Sequence, residues 1–279
     1  MLRHVAFGLC LLLAIPPGGA VAHPVILPLN DYLAEQKNLR ASVNGHEGLF
    51  LFDTGEGVST ITPAFAKRIG CEPWGRVTGF RMTGERIDFP RCDNVRFKIA
   101  GMHLTAPIAG VFNIMALLPK GVPELDGSLG LDIFAGRVIT IEPLAHRIVI
   151  ETPQSLAART RHATEIPARL VRDAEGVALA VDAGVPTPKG LAWMELDTGN
   201  GGSLAIGKHL APLFGLRTDG KMPQTVSFML AGGIRVSGKV RTLDLIMDGN
   251  IGARFLRNWN LTLDLAHGRV WLAPAAKAR

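Results

Sequence analysis

The chain carries one short run twice. Gly48-Leu-Phe-Leu-Phe leads into Asp53-Thr54-Gly55, and Leu191-Ala-Trp-Met-Glu-Leu leads into Asp197-Thr198-Gly199. Each copy continues with a second apolar run, residues 58–62 or 202–206. A short helical stretch follows, residues 63–69 or 208–214, ending at Gly70 or Gly215. A second matching pair comes later: Asp126-Gly127-Ser128-Leu129-Gly130 and Asp248-Gly249-Asn250-Ile251-Gly252. Both run on without a gap into a hairpin pattern, residues 138–142 with 147–150 and residues 260–264 with 269–272. Because the matching pieces keep their order, one half is a divergent copy of the other, and the fold must be built from two like units.

Each unit reads as β. Asn44-Gly45 sits between residues 39–43 and 49–52, a strong signal for a two-residue hairpin turn. In the second half, residues 177–181 and 191–196 flank a longer loop containing Pro186 and Pro188. Further hairpins are predicted at residues 78–89 about Gly84 and at residues 226–236 about Gly232-Gly233. The 32 glycines and 18 prolines suit a turn-rich chain with few, short helices. Residues 151–165, polar and without apolar periodicity, form the expected linker. The expected division is therefore a first lobe over 23–150 and a second over 166–279.

Residues 1–22 read as an export signal: Arg3, an apolar stretch over residues 5–15, and a small-residue site at Ala20-Val21-Ala22. The apolar stretch is shorter than the about 20 residues needed to span a bilayer. A lipoprotein signal ending at Cys10 is the rival, weakened by the bulky Leu9 before it. No later run is long enough to span, so the expected location is periplasmic or secreted, with no stable membrane insertion. Cys71 and Cys92 remain after signal removal. An oxidising compartment favours a disulfide between them over two buried free thiols.

The formal charge is +6, with Lys and Arg scattered, which gives nucleic-acid binding no support. The histidines are dispersed without metal-ligand spacing, so neither a metal nor another cofactor is expected. Gly55-Glu56-Gly57 lacks the third glycine and the βαβ unit of a dinucleotide fingerprint. Residues 201–205 lack the last glycine of a nucleophile elbow.

A lone Asp-Thr-Gly is usually a turn, in which Asp bonds its own backbone and Gly supplies positive φ. Two copies, each ending an apolar strand, weigh differently. A carboxylate carried to the end of a buried strand costs free energy unless it is hydrogen-bonded or used. The pair Phe52-Asp53-Thr54-Gly55 with Leu129-Gly130, and Leu196-Asp197-Thr198-Gly199 with Ile251-Gly252, resembles the pepsin and retropepsin superfamily of aspartic peptidases. Each half is most similar to bacterial retropepsin-like units fused in tandem, over roughly residues 23–272. The resemblance implies an all-β, bilobal pepsin-like acid-protease fold of two pseudo-twofold-related, barrel-like lobes. It implies an aspartic endopeptidase, active as a monomer on peptide or protein substrates without a cofactor. Asp53 and Asp197 would share one proton and activate a water. Thr54 and Thr198 would tie the two loops together, while Gly55 and Gly199 would let backbone amides approach the carboxylates.

The sequence departs from that superfamily in three places. Glu56 and Asn200 stand where Ser, Thr or Ala usually follows Asp-Thr-Gly. Glu56 either adds a third negative charge that raises the apparent pKa of the pair or points to solvent, whereas Asn200 can donate a hydrogen bond to a carboxylate. The single Tyr, Tyr32, lies far ahead of the flap position. The candidate flap is the hairpin over residues 78–89, with Phe80 and Met82 as apolar substrate contacts about Gly84. Core packing is the alternative for both side chains, and the Gly232-Gly233 hairpin is the candidate symmetry mate of the flap. A catalytically silent peptide-binding module on the same fold is the alternative function.

Overall fold

The computed structural model describes residues 23–202, 204–219, 222 and 224–275, and the expected signal peptide, residues 1–22, lies outside them. The fold is all-β, as expected, with three sheets and few short helices.

The first half forms an eight-stranded sheet in the order Asn30–Asp31, Lys37–Val43, His46–Phe52, Gly127–Leu129, Thr60–Ile61, Met102–Val111, Arg86–Ile99, Trp74–Phe80. The second half forms a seven-stranded sheet in the order Ala168–Val171, Ala180–Thr187, Gly190–Asp197, Gly249–Gly252, Leu204–Gly207, Arg235–Leu243, Gln224–Met229. In each, the strand that ends at the aspartate lies between its hairpin mate and a short parallel strand from the Asp-Gly-x-hydrophobic-Gly run. Flanked on both edges, such a strand is mostly apolar in the stretch before its aspartate, Glu195 excepted. Phe50, Leu51 and Phe52 are accordingly buried.

The Asp-Gly pair of the second repeated motif has a structural reason in both halves. Asp126 Oδ2 accepts the Leu49 N–H at 2.9 Å, and Asp248 Oδ2 accepts the Trp193 N–H at 2.8 Å, four residues before each Asp-Thr-Gly aspartate. A Cβ on Gly127 would lie 2.0 Å from the Thr60 carbonyl oxygen, so only glycine lets the short strand squeeze between its neighbours.

The third sheet belongs to both halves. Its order is Val25–Pro28, Arg147–Ile150, Val138–Glu142, Trp259–Asp264, Arg269–Pro274, Thr164–Ile166. The two hairpins meet antiparallel where Thr140 lies opposite Thr262, with their hydroxyls 2.9 Å apart. A lobe division at 150 and 166 therefore cuts through a sheet that the two halves share.

Three local readings need correction. The strand before Pro188 continues to Thr187, paired with Gly190, which leaves a two-residue turn in place of the longer loop. Pro186 is tolerated because the neighbouring strand Ala168–Val171 pairs only as far as Ala180–Ala183, leaving that edge without a partner that needs its N–H. The linker holds an α-helix, Pro153–Thr160, with a reciprocal cap: Thr152 Oγ1 accepts the Ser155 N–H and Ser155 Oγ accepts the Thr152 N–H. It shows no apolar stripe because it buries no residue. The helical stretch expected at 208–214 is a 3-10 turn over Ala211–Phe214.

The largest correction concerns the flap. The parallel pairings Thr60↔Gly110 and Leu204↔Val240 equate Met102–Val111 with Arg235–Leu243. The Gly232-Gly233 hairpin therefore matches the Ala100-Gly101 turn, and among the described residues the second half has no counterpart of the flap strand Trp74–Phe80.

Phe50 meets Phe65 and Phe97 edge-on at 5.2 and 5.5 Å at the centre of the first lobe. A disulfide joins Cys71, just past the helix Pro63–Arg68, to Cys92 in the strand that descends from the flap. Closing a loop between residues 21 apart, the bond should stabilise the fold by about 3 kcal/mol on the loop-entropy account. The Cys71→Ala/Cys92→Ala double variant is expected to unfold at lower urea concentration by that margin, with an unchanged far-UV circular dichroism spectrum.

Candidate active site

Asp53 and Asp197 leave their strands on two loops that hold each other. The Thr54 N–H donates to Thr198 Oγ1 and the Thr198 N–H donates to Thr54 Oγ1, both at 3.0 Å. Thr54 Oγ1 donates to the Leu196 carbonyl at 2.5 Å, and Thr198 Oγ1 to the Phe52 carbonyl at 3.2 Å. Both threonines are buried, and each hydroxyl spends its donor and one lone pair across the lobe boundary.

The two aspartates are thereby brought into hydrogen-bonding contact. Each lies over the glycine of the opposite loop: a Cβ on Gly199 would sit 1.9 Å from Asp53 Oδ2, and one on Gly55 would sit 2.6 Å from Asp197 Cγ. Within each loop the glycine N–H donates to its own aspartate at 2.8 Å, Gly55 to Asp53 Oδ1 and Gly199 to Asp197 Oδ1. Asp197 accepts two further bonds, from the Asn200 N–H at 2.9 Å and from Asn250 Nδ2 at 2.6 Å.

Residues 39–133 match a protein-family model described as aspartyl protease. The whole chain is similar in fold to two solved seed-protein structures. One is basic 7S globulin from soybean, with TM-score 0.59 and 12% identity over 91% of this chain and 95% of that one. The other is conglutin gamma, a basic 7S globulin from lupine seeds, with TM-score 0.54 and 10% identity over the same shares. No curated protein sequence matched in the corresponding comparison.

Around the Asp53–Asp197 pair the two lobes differ. Glu56, half-buried, has its Cβ against Gly130 and its carboxyl near the hydroxyls of Ser128 and Thr60, which are themselves 2.8 Å apart. Burial, opposed by those two hydroxyls, and the charges of Asp132 and Asp197 push it up to about 7. Asp132 lies behind it, accepting from the Ser59 N–H at 2.9 Å and the Ser59 hydroxyl at 2.6 Å, with burial pushing it up to about 6. Asp53 is raised well above the carboxylate range by burial, then by Asp197, then by Glu56.

In the second lobe the acidic position after Asp-Thr-Gly is an amide. Asn200 Nδ2 donates to Asn250 Oδ1 at 2.8 Å, which fixes the Asn250 amide so that its nitrogen reaches Asp197. The amide that serves the carboxylate is thus Asn250's, with Asn200 contributing its backbone. Asn250 Nδ2 also donates at 3.0 Å to Glu195, a buried acid raised well above its ordinary value by burial and by Asp197 and Asp182.

Sequence reasoning missed Asp132, Asn250 and Glu195. A signal for two of them lies in the repeat: Asp132 follows the closing Gly130 by two residues where Arg254 follows Gly252, and Asn250 stands where the first half has Ser128. A further repeat was also missed. Ala34-Glu35 and Ala174-Glu175 form matching loops, each Ala with positive φ. Each loop reaches the other lobe: Glu35 pairs with Arg257 and Gln36 Nε2 donates to the Gly199 carbonyl, while Glu175 pairs with Arg91 and the Leu179 N–H donates to the Gly57 carbonyl.

The flap strands are Trp74–Phe80 and the start of Arg86–Ile99, with the tip closed by Arg81 N–H to Glu85 carbonyl at 2.9 Å. Phe80 is 61% exposed, so core packing does not account for it, and Met82 is half-buried. The Met82 carbonyl accepts the Ile246 N–H at 3.0 Å, and Gly84 lies against Ile246, so the tip touches the second lobe. Tyr32 plays no part in the flap; its hydroxyl donates to the Pro123 carbonyl at 2.7 Å.

Two outcomes are expected. Gly199→Ala forces Asp53 out of place and should cost at least about 100-fold in kcat/KM on any cleaved peptide, by the misplacement argument. Stability should also depend on pH. Glu56 and Asp132 hold protons more tightly folded than unfolded, where their pKa values are about 4.3 and 3.9. Their contribution is complete below the unfolded values and is lost as pH rises through about 6 and 7. The urea midpoint should therefore fall between pH 5 and pH 8, and less steeply in Asp132→Asn.

Proposed function

We propose that the protein is an aspartic endopeptidase. The observation that carries this reading is the meeting of Asp53 and Asp197 over each other's glycines, on loops locked by Thr54 and Thr198. Two carboxyls this close share one proton. Burial and its neighbours keep that proton on Asp53, and the backbone and Asn250 donors receive the charge of Asp197. In the reaction, Asp197 takes a proton from a water whose oxygen bonds to the scissile carbonyl carbon, while Asp53 gives its proton to the carbonyl oxygen. Collapse of the tetrahedral adduct breaks the C–N bond as the proton held by Asp197 passes to the leaving nitrogen and one adduct hydroxyl returns its proton to Asp53, restoring the shared-proton pair. No group beyond the two carboxyls enters these steps.

A substrate would lie extended beneath the flap, bonded strand-like to residues 78–82, with Phe80 and Met82 against its side chains. One chain supplies both aspartates, which supports a monomer as the working unit. The Cys71–Cys92 disulfide supports an oxidising, exported location. The test is cleavage of a mixed peptide library by residues 23–279 from pH 3 to 8. Asp53→Asn and Asp197→Asn are each expected to lower cleavage by about 10²–10⁴-fold, the usual weight of a general acid or base, and a statine-type inhibitor should block the rest. Cleavage surviving in either variant would place the chemistry elsewhere. Peptide binding without turnover would favour the silent binding module.

A further inference from the structure

The two halves of the dyad sit in different surroundings, and the difference is concentrated at one position. Residue 56 is a carboxylic acid and its counterpart 200 is an amide. Glu56 closes the turn that begins at Asp53, its N–H meeting the Asp53 carbonyl at 3.4 Å, and its side chain runs past Gly130 towards the paired hydroxyls of Ser128 and Thr60, which brings its charge close enough to act on Asp53. Behind it stands Asp132, held by Ser59, so three acids, Asp53, Glu56 and Asp132, gather on the Asp53 side of the site.

On the other side, Asn250 stands between Asp197 and Glu195, giving its amide nitrogen to both. Glu195 in turn lies opposite Asp182, whose charge is taken by Arg169 at 2.8 Å. The charged neighbours acting on Glu56 are Asp132 and Asp197, both acidic. On the loop packed at Gly57, Asp173 and Glu175 line a cavity beside the flap strand, where Glu175 meets Arg91.

We propose that Glu56 is a positioning residue that keeps the shared proton on Asp53 and so extends activity to neutral pH. This rests on the endopeptidase reading only for its effect on turnover. As pH rises, the group gives up a proton near neutrality, at the value Glu56 shows. The anion left on Glu56 faces Asp53 without an intervening cation, and like charge makes the loss of the next proton, the one the dyad needs, harder. With a neutral group at position 56, that proton leaves at lower pH. The three acids titrate as a set, so the quantities to follow are the macroscopic steps of the set and the residence of the proton on Asp53.

The experiment compares wild type, Glu56→Gln and Glu56→Ser in two measurements. Glutamine keeps the shape and the hydroxyl contacts without the charge, and serine is the residue type that the superfamily resemblance puts there. The first measurement is the pH profile of kcat/KM on a cleaved peptide. The alkaline limb is expected to move about one pH unit or more towards acid in both variants. The second is the carbon-13 carboxyl titration of Asp53 by NMR, which needs no turnover: its midpoint should move the same way. If wild type cleaves peptides but neither the limb nor the Asp53 titration moves, the proposal is overturned while the endopeptidase reading stands. If wild type cleaves nothing yet the Asp53 titration moves, the reading fails and the role of Glu56 in holding the proton stands. A shift in Glu56→Ser but not in Glu56→Gln would trace to lost packing and would also overturn the proposal.

Discussion

Two threonine hydroxyls, each donating to one backbone group and accepting from another across the lobe boundary, fix the geometry on which everything else in the site depends. They place two acids in contact in a buried setting, an arrangement that electrostatics opposes. Neither loop could hold its aspartate there alone, because the space each carboxyl occupies is left by the glycine of the other loop. The reciprocal contacts of the Ala-Glu loops, one from each half, brace the same junction from outside. A site made this way is held together by cross-bonds between the chain's own two loops.

Duplication explains the frame, and divergence explains the chemistry laid over it. Ser128 has become Asn250, Glu56 has become Asn200, Leu51 has become Glu195 and Asp132 has become Arg254, or the reverse in each case. These substitutions leave one aspartate among acids and hydroxyls and the other among amide donors. Proton placement in such a pair follows from the surroundings of each member, so a symmetric backbone supports an asymmetric acid and base.

The sequence was most legible where backbone rules are strict. Asn44-Gly45 adopts positive φ at both positions and sets the register Val43↔His46, as a two-residue turn requires. Apolar runs ending at Asp53 and Asp197 follow from burial on both faces. It was less legible where meaning depends on a distant partner. Pro186 and Pro188 read as a loop because nothing local shows that the outer edge of that strand is unpaired. The helix Pro153–Thr160 hides from a search for apolar periodicity because it buries nothing, although its Thr-Pro-x-Ser start carries a cap. The Gly232-Gly233 turn looks like a second flap, whereas strand order shows that, among the described residues, the second half lacks the extra strand. Glu195 looks like a solvent-facing residue in an alternating strand until Asn250 is brought beneath it from a point 55 residues away.

The sheet that both halves share has a kinetic side. Its central crossing, Thr140 with Thr262, joins positions 122 residues apart, and such closures cost entropy before any contact repays them. Apart, Val138–Glu142 and Trp259–Asp264 would each leave a strand edge open. Joined, they close against each other edges with which a second copy of the chain could otherwise pair.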